Sequence, residues 1–237
     1  MTIDFSRRSR EEELMDRPGL DPKVLNLALS DISRVNRWLG GNRITIKAIE
    51  TVIARHPDRT RFTLVDVGCG DGEMLRTIQE HFKDHPVELE LVGIDLNSAS
   101  LDLARKQSPG IIFLHKDITQ RDSEADPYDF VLCTLTLHHL QPEDVSTFLR
   151  ALCKMTRLQL IINDLERSRW AFQLFRLFSA IFIRSPLARH DGRLSILRSF
   201  TKSELQSLSE NLGITNDTIA RKWAFRLLWN IPKQQSL

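Results

Sequence analysis

A chain of 237 residues with 33 basic and 31 acidic side chains and a net charge of +2 can bury one α/β core plus an appendage, but hardly two full domains. Near-neutral, scattered charge gives no electrostatic footprint for a polyanion, so no nucleic-acid partner is expected. The opening MTIDFSRRSREEELMD has no apolar run behind its basic residues and does not read as a secretory leader. Cys69, Cys133 and Cys153 are odd in number and lack metal-ligand spacing, which predicts free thiols, no metal and a cytoplasmic protein.

Behind the polar start, Asp21-Pro22 can open a helix carrying Val24, Leu27, Ile32, Val35 and Trp38 before Gly40-Gly41 stops it. A second helix is expected from Ile44 to Arg55, so residues 1–57 read as an N-terminal helical cap. From Phe62 the period changes to short apolar strands alternating with amphipathic helices, the pattern of a parallel sheet with helices on both faces. The strands are FTLVDV, ELELVGID, IIFLH, YDFVLCT and LQLIIND, with helices near Glu73 to Phe82, Ala99 to Lys106 and Pro142 to Met155. An aromatic helix from Arg167 to Arg184, a Thr201-initiated helix to Leu212, and β-like runs around Thr218 and Phe225 follow. Residues 58–237 thus form the core, with a lid insertion at about 166–200.

The sharpest feature is LVDVGCGDGEML, where a buried strand ends at Val67 and Gly68, Gly70 and Gly72 follow before a helix. Glycines there let the backbone turn tightly and approach a ligand. The dinucleotide fingerprint needs a glycine five positions after its first, yet those positions hold Glu73 or Leu75. Asp71 and Glu73 at the helix start would also repel a pyrophosphate. A nucleoside without phosphate and with positive charge fits better. Asp95, ending the second strand 23 positions after Gly72, can accept both hydroxyls of its ribose. Asp117 and Ile118, after the third strand, stand where an adenine would be edge-bonded and sandwiched.

The segments VDVGCGDG, GIDLN, KDI and YDFVLCTLTLHHL resemble successive motifs of the class I S-adenosylmethionine (SAM)-dependent methyltransferases, over roughly Phe62 to Asp164. The resemblance implies a Rossmann-like seven-stranded α/β sheet with its last strand antiparallel, and SAM as cofactor. By the same resemblance Asp66 and the loop residues Gly68, Cys69, Gly70 and Gly72 hold the methionine moiety. Asp95 takes the ribose, Leu96 beside it is a further cofactor contact, Asp117 and Ile118 take the adenine, and Thr134 or Leu135 lies beneath the sulfur.

For the acceptor, the segment after the fourth strand, CTLTLHHLQPED, lacks the Asn/Asp-Pro-Pro-aromatic signature of base-amine methylation and any Pro-Cys nucleophile. It carries His138 and His139 past the strand's carboxyl end, where open α/β sheets bind ligands. Imidazole can take a proton from a phenol near neutral pH, and the stretch LHHLQPEDVSTFLRAL resembles small-molecule O-methyltransferases with a catalytic His at this place. Arg37, Trp38, His190, Phe172 and Phe175 are candidate acceptor contacts. Apolar side chains almost all round the Arg167 to Arg184 helix mean that two of its faces need cover. A lid over an apolar acceptor, a dimer contact or a peripheral membrane face all fit, and the chain is a monomer or homodimer. The reading is methyl transfer from SAM to a hydroxyl, phenolic by preference, of a small apolar or aromatic metabolite. A carbon acceptor of quinone or polyketide type, or a non-catalytic SAM-binding module, are the alternatives.

Overall fold

The computed structural model describes residues 3–16, 19–120 and 127–234. Asp21 caps α1 (Pro22–Trp38) by accepting the Lys23 amide at 2.7 Å, and Gly40, at φ +71°, turns the chain into α2 (Gly41–Ile53). Then come β1 (Arg61–Val67), α3 (Glu73–Phe82), β2 (Glu88–Asp95), α4 (Ser98–Gln107), β3 (Ile112–His115), β4 (Tyr128–Thr134), α5 (Val145–Lys154) and β5 (Thr156–Leu165). The chain ends with α6 (Arg169–Phe182), α7 (Pro186–Arg198), α8 (Lys202–Leu212), β6 (Thr218–Lys222) and β7 (Arg226–Pro232).

The seven strands take the order β3-β2-β1-β4-β5-β7-β6, with β7 antiparallel to both neighbours. Alternation along the strands builds two cores. Phe62, Leu64, Phe130 and Leu132 face α2 and α3, while Val65, Val67, Val131 and Cys133 face α5 and α8. The order reverses between β1 and β4, so their carboxyl ends open a crevice, the usual ligand position in such sheets.

Three expectations about the cap and lid are corrected. Residues 3–13 are not helical; they run across the carboxyl edge of the sheet, with the Ser9 amide bonded to the Leu197 carbonyl. In α1 Ile32 and Val35 face inward as expected, but in its first turns Leu25 and Ala28 are buried while Val24 and Leu27 are exposed, so the stripe there is turned by one position. The aromatic helix expected from Arg167 to Arg184 is α6, and the lid holds a further helix that was not expected, α7, opened by the Ser185 cap and Pro186. Only one face of α6 is covered: Trp170, Leu177 and Ile181 are more than half exposed. Among the described residues no helix is long and apolar enough to cross a membrane.

Candidate active site

The glycine loop after β1 has φ of +76°, +55° and +78° at Gly68, Gly70 and Gly72. A Cβ on Gly68 would lie 2.3 Å from the Thr136 side chain, so a close approach and a left-handed backbone together require glycine. A Cβ on Gly70 would meet nothing within 4 Å, because its outer side opens to a cavity. The Gly70 amide donates to Asp95 Oδ2 at 2.8 Å, and Asp95 Oδ1 accepts the Asn97 amide at 2.7 Å. This fixes the carboxylate at the β2 end beside the loop.

Below the loop, Asp66 is buried and its Oδ1 has no hydrogen-bond partner. Burial, then the charges of Asp95 and Glu73, push its pKa up to about 8. The Thr134 hydroxyl at the β4 end is likewise buried and unpartnered. Orphaned acceptors at this depth suit a cationic ligand group nearby. Gly68, Cys69, Gly70, Asp95, Thr134 and Leu135 line the cavity. Leu135 takes φ +53°, a strained conformation for a branched side chain, at this wall. Leu96 is exposed, Asp117 bonds its own turn at Thr119, and Ile118 packs in the core; none of the three lines the cavity.

The cavity measures about 480 Å³ and runs from the glycine loop to α1, α6, α7 and the β6–β7 turn. Its far end is apolar: Leu25, Leu29 and Ile32 from α1, Leu174, Phe175 and Phe178 from α6, and Ala188 from α7. The tip of the Phe175 ring can reach α7 because residue 192 is glycine; a Cβ there would be 2.3 Å from its Cζ. The other acceptor candidates lie elsewhere. Phe172 is buried edge-on against Phe5, with centroids 5.7 Å apart, because it lies on the α6 face turned toward Ile196. His190 is half exposed and bonds Asp191 Oδ1 at 2.8 Å. Arg37 borders a separate shallow groove, and Trp38 is exposed, edge-on to Phe182.

His138 and His139 form a short 3-10 turn after β4, and both line the cavity. Asp164, at the end of the neighbouring β5, receives the His138 backbone amide at 3.0 Å and Nδ1 at 2.6 Å. On the other side, His138 Nε2 is 3.5 Å from Glu13, whose carboxylate also accepts the Ser195 hydroxyl at 2.8 Å. The carbonyls of the turn are held by two guanidiniums: Arg8 donates to His138 and Leu140, and Arg198 to His138 and His139. Burial disfavours charge on the His138 ring, but the Asp164 carboxylate, then Glu13, outweigh it and raise its pKa to about 9. Burial likewise opposes a charged Glu13, yet His138 and His139 lower it to about 2. Near neutral pH His138 is therefore an imidazolium between two carboxylates. Glu13, His138 and His139 bring ligand atoms within 4.8 Å of one another.

Glu13, Asp164 and Arg226 were not foreseen as site residues. Asp164 could have been found, since it ends the strand next to the one that ends before His138. Glu13 carries no local signal within an acidic run.

Residues 64–158 match the family model described as a methyltransferase domain. Among curated proteins, the trans-aconitate 2-methyltransferase of Acidovorax sp. (strain JS42) is 38% identical over 55 residues, 23% of this chain and 20% of the relative. The small RNA 2'-O-methyltransferase of Mus musculus is 25% identical over 114 residues, 42% of this chain and 27% of the relative. The chain thus matches about a quarter or less of their lengths. Among solved structures, the plantazolicin methyltransferase BpumL in complex with SAH superposes with a TM-score of 0.67 at 21% identity, covering 90% of this chain and 91% of that one.

Proposed function

We propose that this chain, which has the fold of the class I SAM-dependent methyltransferases and carries a methyltransferase domain at residues 64–158, transfers a methyl group from SAM to an ionisable oxygen of a small apolar molecule. The carrying observation is the continuity of the cavity, which has a polar end at Gly68, Gly70 and Asp95 and an apolar end under α1 and α6.

SAM supplies, when bound, an electrophilic methyl group on a sulfonium. Asp95 offers its carboxylate to the ribose hydroxyls, Thr134 faces the cationic amino-acid end with Asp66 buried behind the wall, and Leu135 forms the floor between the two halves. The apolar walls exclude water and hold the acceptor in line, which is the main source of acceleration for such a displacement. His138 is held protonated by Asp164 and Glu13, so its part is to donate a hydrogen bond and fix the turn. An acceptor that ionises by itself, an acidic phenol or a carboxyl, then needs no protein base.

The outer face of α6 supports a peripheral membrane contact. Trp170, Leu177 and Ile181 are exposed beside Arg169, Arg176 and Arg184, and no acidic residue occurs between Arg167 and His190. An apolar stripe with cationic flanks suits an anionic bilayer surface. Incubating the protein with methyl-labelled SAM and a panel of phenols, carboxylic acids and neutral alcohols tests the main reading by product mass spectrometry.

A further inference from the structure

Arg226 opens β7 and is 3% exposed, yet its guanidinium borders the cavity. Its hydrogen bonds go to neutral amides: Nη2 donates to Asn36 Oδ1 at 2.6 Å and Nη1 to Asn163 Oδ1 at 3.4 Å. Among the described residues no carboxylate forms an ion pair with it. The charge of Asp164 acts on it, but both of that residue's oxygens are committed to His138 and the Leu165 amide. The guanidinium also stands over Gly41, where a Cβ would be 2.8 Å from it. It therefore lies at the N-terminus of α2, whose N-cap Gly40 offers no side chain. Helix dipole and guanidinium bring positive charge to the same point, and burial without a counter-charge is costly. Burial holds the Arg226 pKa down at about 10, which still leaves it charged at neutral pH.

The cavity wall around this cation joins α1 to the β6–β7 turn. Leu165, Trp223, Ala224 and Phe225 are its neighbours in the wall, and Asn36 presents it from α1. No other Lys or Arg lines the cavity among the described residues. We infer that Arg226 is an anion-binding, specificity-determining residue, and that the acceptor enters the cavity as an anion, with a carboxylate or ionised phenol against the guanidinium. The inference rests on the methyl-transfer reading for the word acceptor, but the anion site itself does not. An anionic oxygen is already a nucleophile, which agrees with an imidazolium at position 138 that has no vacancy for a further proton.

The test is calorimetry on the full chain saturated with S-adenosylhomocysteine, titrating naphthoate against naphthamide as matched anionic and neutral probes. The wild type should bind naphthoate with clear preference. Arg226→Gln should weaken naphthoate about 10- to 100-fold, the range for a charge-assisted hydrogen bond, and leave naphthamide unchanged. Arg226→Lys should recover part of the loss. Retained S-adenosylhomocysteine affinity shows that each variant is folded. Equal binding of both probes by the wild type overturns the inference. So does an Arg226→Gln variant that loses S-adenosylhomocysteine but not naphthoate, which would assign the cation to the cofactor's carboxylate. Absence of methyl transfer to any acceptor would sink the catalytic reading and leave the anion preference standing.

Discussion

His138 and Asp164 are joined twice, through the backbone amide at 3.0 Å and through Nδ1 at 2.6 Å. The ring is thereby fixed in orientation and charge at the end of β4. Folding raises the His138 pKa from 6.5 to about 9, so the group contributes stability that is fully present below about pH 6.5 and lost as pH rises through about 9. The contribution is of order 3 kcal/mol. Urea midpoints measured from pH 6.5 upward should fall toward pH 10 and fall less in His138→Gln; a flat wild-type profile would mean that the ring is neutral in the fold.

Glu13 is the second partner of this ring and comes from the irregular N-terminal segment. Its removal should let the His138 pKa drop from about 9 while Asp164 keeps the ring charged near neutrality. Titration of Glu13→Gln by imidazole NMR checks this. An unchanged His138 pKa would show that Asp164 alone sets it.

If the acceptor rather than His138 provides the ionisation, the rise of kcat/KM with pH should move with the pKa of each phenol in a series. A fixed midpoint near 9 for every acceptor would instead restore His138 as the base, with its own ionisation limiting the rate.

Phe175 and Phe178 line the cavity, whereas Phe172 packs against Phe5. Phe175→Ala and Phe178→Ala should weaken acceptor binding by about 1–3 kcal/mol of lost apolar contact and spare SAM affinity. Phe172→Ala should cost about 3–5 kcal/mol of stability and leave acceptor choice alone. Steady-state kinetics and denaturant unfolding of the three variants separate the roles, and a changed acceptor preference in Phe172→Ala would contradict the assignment.

On the outer face of α6, Leu177→Glu with Ile181→Glu should reduce sedimentation with phosphatidylglycerol-containing vesicles and leave turnover of a soluble acceptor intact. Light scattering decides against a membrane role if the wild type is a dimer that these substitutions dissociate.

The sheet was legible because strand and helix periods differ and because each strand of the core is an apolar run; even the two terminal strands followed from their β-like composition. The glycine loop and Asp95 were legible because their chemistry is local, carried by spacing along one or two elements. The cap and lid were less so. In α1 and α6 apolar residues occupy more than one face, and the period alone cannot say whether Leu25 or Val24, or Phe175 or Phe172, turns inward. Glu13 and Arg226 escaped because each meets the cavity through tertiary placement, from an irregular N-terminal segment and from the last strand in the chain.

The account stands most directly on one measurement: incubation of the protein with methyl-labelled SAM and matched phenols, carboxylic acids and neutral alcohols, followed by mass spectrometry of the products. The predicted result is a labelled O-methyl product from an apolar phenol or acid, abolished or strongly reduced when Asp95→Ala removes the ribose contact. SAM bound with the expected dependence on Asp95, yet with no methyl group delivered to any oxygen, would contradict it.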